Sequence, residues 1–63
     1  MNRVVEILMN RDGLTEKQAM RRVAETAEEI QNALAYEAFE AVEDIVADNL
    51  GLEMDYIEDI LCI

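Results

Sequence analysis

The side chains that could do chemistry in this sequence are almost all carboxylates. The 63 residues include 15 aspartates and glutamates, but no histidine and no serine. Apart from Thr15 and Thr26, the chain therefore lacks the base and hydroxyl nucleophile that acid–base and covalent catalysis most often use. We predict a protein that is not an enzyme and that uses no cofactor.

Carboxylates can also hold a metal ion. Glu40, Asp44 and Asp48 follow one another at a spacing of four residues, which places them along one face of a helix. Hard cations such as Ca²⁺ usually take oxygen ligands that converge from a loop or from several helices. A single helical row does not provide that geometry, and we predict no metal site.

The charges are distributed unevenly along the chain. All five basic residues lie within the first 22 positions, whereas residues 23–63 contain twelve acids and no base, in a chain of net charge −10. Like charges four residues apart, as in Glu25–Glu29 and Glu40–Asp44, destabilise an isolated helix by about 0.2–0.5 kcal/mol per pair. A sequence that keeps such pairs could use them as a binding surface.

The leading hypothesis is an acidic helical face that binds a basic protein partner. Carboxylates spaced along helices can imitate a phosphate backbone and occupy the basic groove of a nucleic-acid-binding protein. The acids predicted to form this face are Glu25, Glu28, Glu29, Glu37, Glu40, Glu43, Asp44 and Asp48. The alternative is a homo-oligomeric structural module whose charge serves only solubility. In a homodimer, Lys17, Arg21 and Arg22 of a neighbouring subunit would neutralise part of that charge.

Direct binding to nucleic acid is the opposite hypothesis. The segment Leu14–Ala19 is faintly similar to the opening of a helix-turn-helix, and Arg21 and Arg22 could contact phosphate. A net charge of −10, however, would repel a duplex. We therefore predict no direct contact with nucleic acid.

Helices must position these acids, and the sequence predicts an all-α fold. The stretch Thr15–Leu50 contains no glycine or proline and is rich in helix formers. Thr15 and Gln18 form a capping-box pattern, which predicts that a helix begins at Glu16. We expect a single domain, 1–63, built as a small bundle of about four helices in which two short terminal helices flank a central helical pair.

The central stretch carries two apolar stripes. They consist of Val23, Ala27, Ile30 and Leu34, and of Phe39, Val42, Val46 and Leu50. At about 100° per residue the centres of the two stripes lie about 135° apart, and a small chain buries both most easily by folding back. The predicted helices span Glu16–Asn32 and Tyr36–Asn49, with a tight turn within Asn32–Tyr36. The rival is one helix, Glu16–Asn49, whose second face is covered by a partner subunit.

Two further helices are predicted at the ends of the chain. The first spans Asn2–Arg11 and ends at Gly13, and Gly51 ends the third helix in the same left-handed conformation. The last helix begins at Asp55, where Glu58 suggests a second capping pair. The apolar residues expected on the inner faces of the terminal helices are Val4, Val5, Leu8, Tyr56, Ile57, Ile60 and Leu61.

Some apolar residues have both a packing and a binding interpretation. Tyr36 and Phe39 could form an exposed aromatic anchor, but we expect them to pack in the core. Met9, Met20 and Met54 are expected to fill gaps in the core rather than to line a ligand groove.

The sequence shows no sign of a membrane or secreted protein. It has no apolar run of 18 residues, and its first residues do not resemble a secretory signal. Cys62 is the only cysteine, which excludes an internal disulfide, and we expect it to be a small apolar residue near the edge of the core. We expect a cytoplasmic protein.

Both ends of the sequence resemble a group of known proteins. The similarity rests on Arg11–Thr15, Ala19, Leu50–Ile57 and Ile60–Leu61. These segments resemble small acidic helical proteins of unknown function that phages, prophages and mobile elements of Gram-positive bacteria encode. Such proteins often have a polar, glycine-containing break between the middle helices, where this chain has Asn32–Tyr36. The resemblance implies a bacterial host cell, in which the acidic face would inhibit a host defence or nucleic-acid-binding protein.

Overall fold

The computed structural model describes residues 2–62, and helices dominate that part of the chain. The four α-helices are α1 (Arg3–Asp12), α2 (Glu16–Ala35), α3 (Phe39–Leu50) and α4 (Ile57–Leu61), and a single 3₁₀ turn, Met54–Tyr56, precedes α4. No strand occurs among residues 2–62. The predicted all-α bundle, with a central helical pair between two short terminal helices, is confirmed.

The longest helix, α2, is the element against which the others pack. It contacts α1, α3 and α4. Its 20 residues span about 30 Å at 1.5 Å per residue, which accounts for the longest dimension of the molecule, 33 Å. The buried core is aliphatic and consists of Val4, Val5, Leu8, Ala19, Val23, Ala27, Ile30, Val42, Val46, Leu50 and Ile60. In a chain this short, each of these side chains is a large share of the burial that stabilises the fold.

Three helix ends lie where local sequence signals predict them. Thr15 and Gln18 form the capping box: the Gln18 N–H donates to Thr15 Oγ1 at 3.1 Å, and the Thr15 N–H donates to Gln18 Oε1 at 3.0 Å. Gly13 and Gly51 follow α1 and α3 with φ angles of 69° and 66°. Glycine enters this left-handed region without the steric cost of a Cβ atom, and both glycines end their helices there.

The chain folds back between the two central helices, but later than predicted. The helix α2 extends to Ala35, and the turn consists of Tyr36–Ala38. A turn within Asn32–Tyr36 is therefore wrong, and so is the single helix Glu16–Asn49. Alanine and leucine at 33–35 are strong helix formers, and they carry α2 about one turn past the expected end.

The turn is closed by backbone hydrogen bonds and by one unusual residue. Glu37 has a φ angle of 57°, which for a residue other than glycine costs about 1–2 kcal/mol. The Glu37 N–H donates to the Leu34 carbonyl at 3.0 Å, and the Ala38 N–H donates to the Ala33 carbonyl at 2.8 Å. These bonds satisfy carbonyl groups that the end of α2 would otherwise leave without partners.

Three residues predicted to be buried near this turn are at the surface. The exposed fraction is 38% for Leu34, 85% for Tyr36 and 63% for Phe39. The reason is the length of α1, whose 10 residues reach only about 15 Å back along α2 from the loop that joins them. The remaining members of both predicted stripes are buried, so the stripes are correct at their centres and wrong at the turn.

The predicted packing of the methionines is only partly correct. Met9 is partly buried and packs against the core, whereas Met20 and Met54 are exposed. Cys62 is exposed as well, and the expectation that it lies near the core edge is wrong.

The C-terminal segment differs from its prediction at its start. The 3₁₀ turn precedes α4, neither element has a side-chain cap, and the capping pair of Asp55 and Glu58 is therefore wrong. Ile60 is buried and Ile57 is half-buried, as predicted, but Leu61 is exposed.

Polar contacts attach α4 to the start of the chain. Asn2 caps α1 by accepting from the Val4 N–H at 2.8 Å, and its side-chain amide donates to the Asp59 carbonyl. Arg3 forms an ion pair with the Asp59 carboxylate, and its guanidinium carbon lies 4.7 Å from the centroid of the Tyr56 ring. We call this set of contacts the terminal clasp.

Candidate protein-binding surface

The eight acids predicted to form a binding face are all exposed. Three lie on α2, one lies in the turn and four lie on α3. Because α2 and α3 pack against each other, acids that are distant in sequence are brought together. They form two neighbouring groups.

The first group lines a shallow groove of about 580 Å³ between α2 and α3. Four predicted acids contribute to it: Glu25, Glu28, Glu29 and Asp48. Arg22 is the one basic side chain in the lining, and the groove therefore has an excess of negative charge. The Asn49 side-chain amide donates to the Glu29 carboxylate across the groove and ties α3 to α2.

A buried threonine also lines this groove. The Thr26 hydroxyl donates to the Arg22 carbonyl, four residues earlier in α2, at 2.8 Å. Threonines often form such a bond to a backbone carbonyl of their own helix. The exposed groups of the groove are mainly carboxylates.

The second group surrounds the turn between α2 and α3. Glu37, Glu40 and Asp44 line a cleft of about 560 Å³, together with Phe39 and two alanines. Phe39 is exposed among these carboxylates, whereas the sequence pattern placed it in the core. The sequence signal for this exposure is the acidic surroundings of Phe39, with Glu37 two residues before it and Glu40 directly after it.

The outer row of α3 joins the two groups. Glu40 and Asp44 belong to the cleft and Asp48 belongs to the groove, and the three are spaced four residues apart on one helix face. The row is about 12 Å long. We call the seven acids of the groove, the row and the cleft the acidic band. Glu43 is exposed on α3, one turn after Glu40, but it lines neither the groove nor the cleft.

Among residues 2–62, no basic side chain lies within ion-pair distance of an acid of the band. In the part of the chain that the structure describes, the ion pairs are Arg3–Asp59 and Arg11–Asp12, both outside the band. The second pair lowers the pKa of Asp12, chiefly through the hydrogen bonds that Arg11 donates to its carboxylate. The band itself remains a continuous negative surface that attracts cationic groups.

Residues 2–62 contain no group of three or more cysteine, aspartate or glutamate side chains arranged to hold a metal ion. They also contain no helix long and apolar enough to cross a membrane.

The fold and the surface together define a small all-α bundle that presents carboxylates on two packed helices and the turn between them. Comparison with known proteins finds no family model, no curated protein and no solved structure that matches this chain.

Proposed function

We propose that this protein is a non-enzymatic accessory protein of a phage or mobile element that binds a basic protein through the acidic band. The observation that carries the proposal is the continuity of seven exposed carboxylates over α2, the turn and α3, without an ion-pair partner among the described residues. In a bacterial host, the partner is a nucleic-acid-binding or defence protein, and the consequence of binding is inhibition.

The energetics of the helices support a role for the band in binding. Glu25–Glu29, Glu40–Asp44 and Asp44–Asp48 each destabilise their helix by about 0.2–0.5 kcal/mol. Asp48 also lies in the last turn of α3, where a negative charge opposes the helix dipole and where no basic residue compensates it. Lysines and arginines of a partner would reduce these repulsions. The repulsion free energy that destabilises the free chain would then favour binding.

The exposed aromatic residues give the band an apolar anchor. Phe39 lies among the carboxylates of the cleft, and Tyr36 is exposed in the same turn. An arginine suits such a site, because its guanidinium can pair with a carboxylate while its planar face stacks on an aromatic ring. Aromatic side chains of this kind often dominate the binding energy of an interface.

The charge spacing indicates how closely the band can imitate nucleic acid. Adjacent acids of the α3 row are about 6 Å apart along the helix, whereas phosphates of one DNA strand are about 3.4 Å apart along the duplex axis. The row alone has roughly half the charge density of one strand. The acids of α2 across the groove supply a second row, and mimicry of a phosphate backbone requires both helices.

The test is affinity capture from a host lysate, washed across a series of salt concentrations. It compares three forms of the tagged chain: the wild type, a band variant and a control variant. The band variant carries Glu40→Gln, Asp44→Asn and Asp48→Asn. The control variant carries Glu53→Gln, Asp55→Asn and Glu58→Gln, which remove the same charge outside the band. We expect the wild type and the control to retain the same basic protein at low salt and to lose it at high salt. Equal capture by the band variant would contradict the proposal.

The second candidate function is a homo-oligomeric module whose charge serves only solubility. It is favoured by exposed apolar side chains on α2, namely Met20 and Leu34. Under this alternative, the solution mass is a multiple of the chain mass and the band captures no basic protein.

A further inference from the structure

A third apolar stripe runs along the outer side of α2. Its positions are Met20, Ala24, Ala27, Gln31 and Leu34, four apolar residues and one glutamine, at alternating spacings of four and three residues. Met20 and Leu34 are large side chains with exposed fractions of 44% and 38%, and Ala24 is exposed between them. This spacing is the heptad pattern by which one helix packs along another. The stripe is about 21 Å long, from Met20 to Leu34.

The stripe is distinct from the face that α2 turns towards its own core. The core-facing residues are Ala19, Val23, Thr26, Ala27 and Ile30. At about 100° per residue, the centre of the stripe lies about 75° around the helix from the centre of that face. Only Ala27, at the border, belongs to both. The helices α1, α3 and α4 pack against the first face, whereas Met20, Ala24 and Leu34 on the second remain exposed in the part of the chain that the structure describes.

We propose that a second copy of this chain covers the stripe, with the two α2 helices antiparallel about a two-fold axis between Ala24 and Ala27. The small side chains at the centre permit close approach of the helices, and the larger Met20 and Leu34 pack towards the two ends. A two-fold axis makes the interface self-complementary, because the same surface is used on both subunits. The proposal goes beyond the acidic band, which serves a different partner.

The charges beside the stripe select both the occupant and its direction. Arg21 and Glu28 flank the stripe on the same side and are seven residues apart, about 10.5 Å along the helix, too far to pair with each other. With the axis midway between Ala24 and Ala27, Arg21 of each copy lies on the same side as Glu28 of the other and about 3 Å from its level, which is within reach of two ion pairs. In a parallel two-fold arrangement, this flank of one helix lies on the opposite side of the interface from the same flank of the other, and the pairs cannot form. The antiparallel arrangement is therefore the one in which the surface complements itself.

The first test is the solution mass of the full chain, measured by sedimentation equilibrium from about 10 µM to about 1 mM, the range in which weak interfaces associate. We expect the wild type to reach twice the chain mass of 7.2 kDa. Ala24→Glu should remain at 7.2 kDa with an unchanged helical signal, because Ala24 is exposed in the single chain. The control is Asn32→Glu, which adds the same charge to α2 outside the stripe and should still dimerise. A wild type that stays at 7.2 kDa, or an Ala24→Glu variant that dimerises, overturns the proposal.

The second test is a charge-reversal cycle. Arg21→Glu and Glu28→Arg should each raise the dissociation constant of the dimer by about tenfold or more. The double variant should return to within about threefold of the wild type, because the pairs form again with their signs exchanged. If the double variant is as weak as either single variant, the antiparallel arrangement is wrong. The Ala24→Glu variant also allows the two proposals to be tested separately. It keeps the α3 row and the cleft of the acidic band, so binding of a basic protein can be measured without dimerisation.

Discussion

Arg3 donates two hydrogen bonds to one carboxylate oxygen of Asp59, which lies 56 positions later in the chain. The distances to Asp59 Oδ2 are 3.0 Å from Nε and 2.7 Å from Nη2. The guanidinium also lies over the Tyr56 ring. One side chain of α1 thus fixes both the 3₁₀ turn and α4, two elements too short to persist alone.

The first prediction concerns this ion pair. Replacement of Arg3 by alanine should lower the free energy of unfolding by about 0.5–1.5 kcal/mol, since the pair is largely exposed but is combined with a cation–π contact. For a domain of this size, the melting temperature falls by about 4–8 °C per kcal/mol. The comparison is Arg11→Ala, which removes an ion pair between sequence neighbours rather than one that joins the two ends of the chain. Thermal melts followed by circular dichroism measure both, and equal melting temperatures for Arg3→Ala and the wild type would contradict the prediction.

The second prediction contrasts two apolar positions that the sequence pattern treats alike. Val46→Asp places an unpaired charge in the core and should unfold the domain, whose total stability is of the order of 3–9 kcal/mol at this length. Leu34→Asp should leave the chain folded, because Leu34 is at the surface beside the turn. The helical circular dichroism signal and its cooperative loss on heating distinguish the outcomes. A folded Val46→Asp variant, or an unfolded Leu34→Asp variant, would contradict the core described above.

The third prediction concerns the left-handed backbone at Glu37. Glycine adopts this conformation without a Cβ clash, and Glu37→Gly should raise the free energy of unfolding by about 0.5–1 kcal/mol. Glu37→Ala is the control, because it removes the same charge but keeps the Cβ atom and the strain. Denaturant titration compares the two. If the glycine variant is no more stable than the alanine variant, the turn does not hold the strain that its φ angle indicates.

The fourth prediction concerns the titration of Asp12. The hydrogen bonds from Arg11 lower the pKa of this carboxyl below its ordinary value, and Arg11→Ala should return it to the ordinary range. A pKa that is lower in the folded state stabilises the fold above the pKa of the unfolded chain. That contribution is lost as the pH falls through the folded value. Because Asp12 is at the surface, we expect this contribution to be slight and to change with pH only on the acid side of the stability profile.

Carbon-13 chemical shifts of the side-chain carboxyls, followed against pH, report the pKa of Asp12 directly. Arg3→Ala is the control, since it removes a different arginine and should leave Asp12 unchanged. An unaltered pKa in Arg11→Ala would show that another cause lowers it.

Much of the fold follows from signals that are local in the sequence. Thr15 and Gln18 cap a helix by contacts three residues apart, and Gly13 and Gly51 end helices by their own backbone freedom. The apolar periodicity also predicts the centre of the core, because a helix turns by a constant angle per residue. These features need no knowledge of the tertiary structure.

The turn and the terminal clasp depend on contacts that a local pattern does not contain. The turn at Tyr36–Ala38 has no glycine or proline, and its position depends on how far α1 and α3 cover α2. The contacts of Asn2 and Arg3 with Asp59 join opposite ends of the chain. For the candidate surface, the exposure of the eight acids was predictable from their charge. Their division into a groove and a cleft was not, because it requires the packing of α2 on α3.

The terminal clasp has a consequence for the topology of the molecule. The clasp joins Asn2 and Arg3 to Asp59, so that the beginning of α1 and the end of α4 lie next to each other. A fold with neighbouring ends tolerates circular permutation, in which a short peptide joins the two ends and new ends are made at an exposed loop. A circular permutant that begins within residues 36–38 would keep every core contact, and it would free the corner between α2 and α3 from the connection that now constrains it.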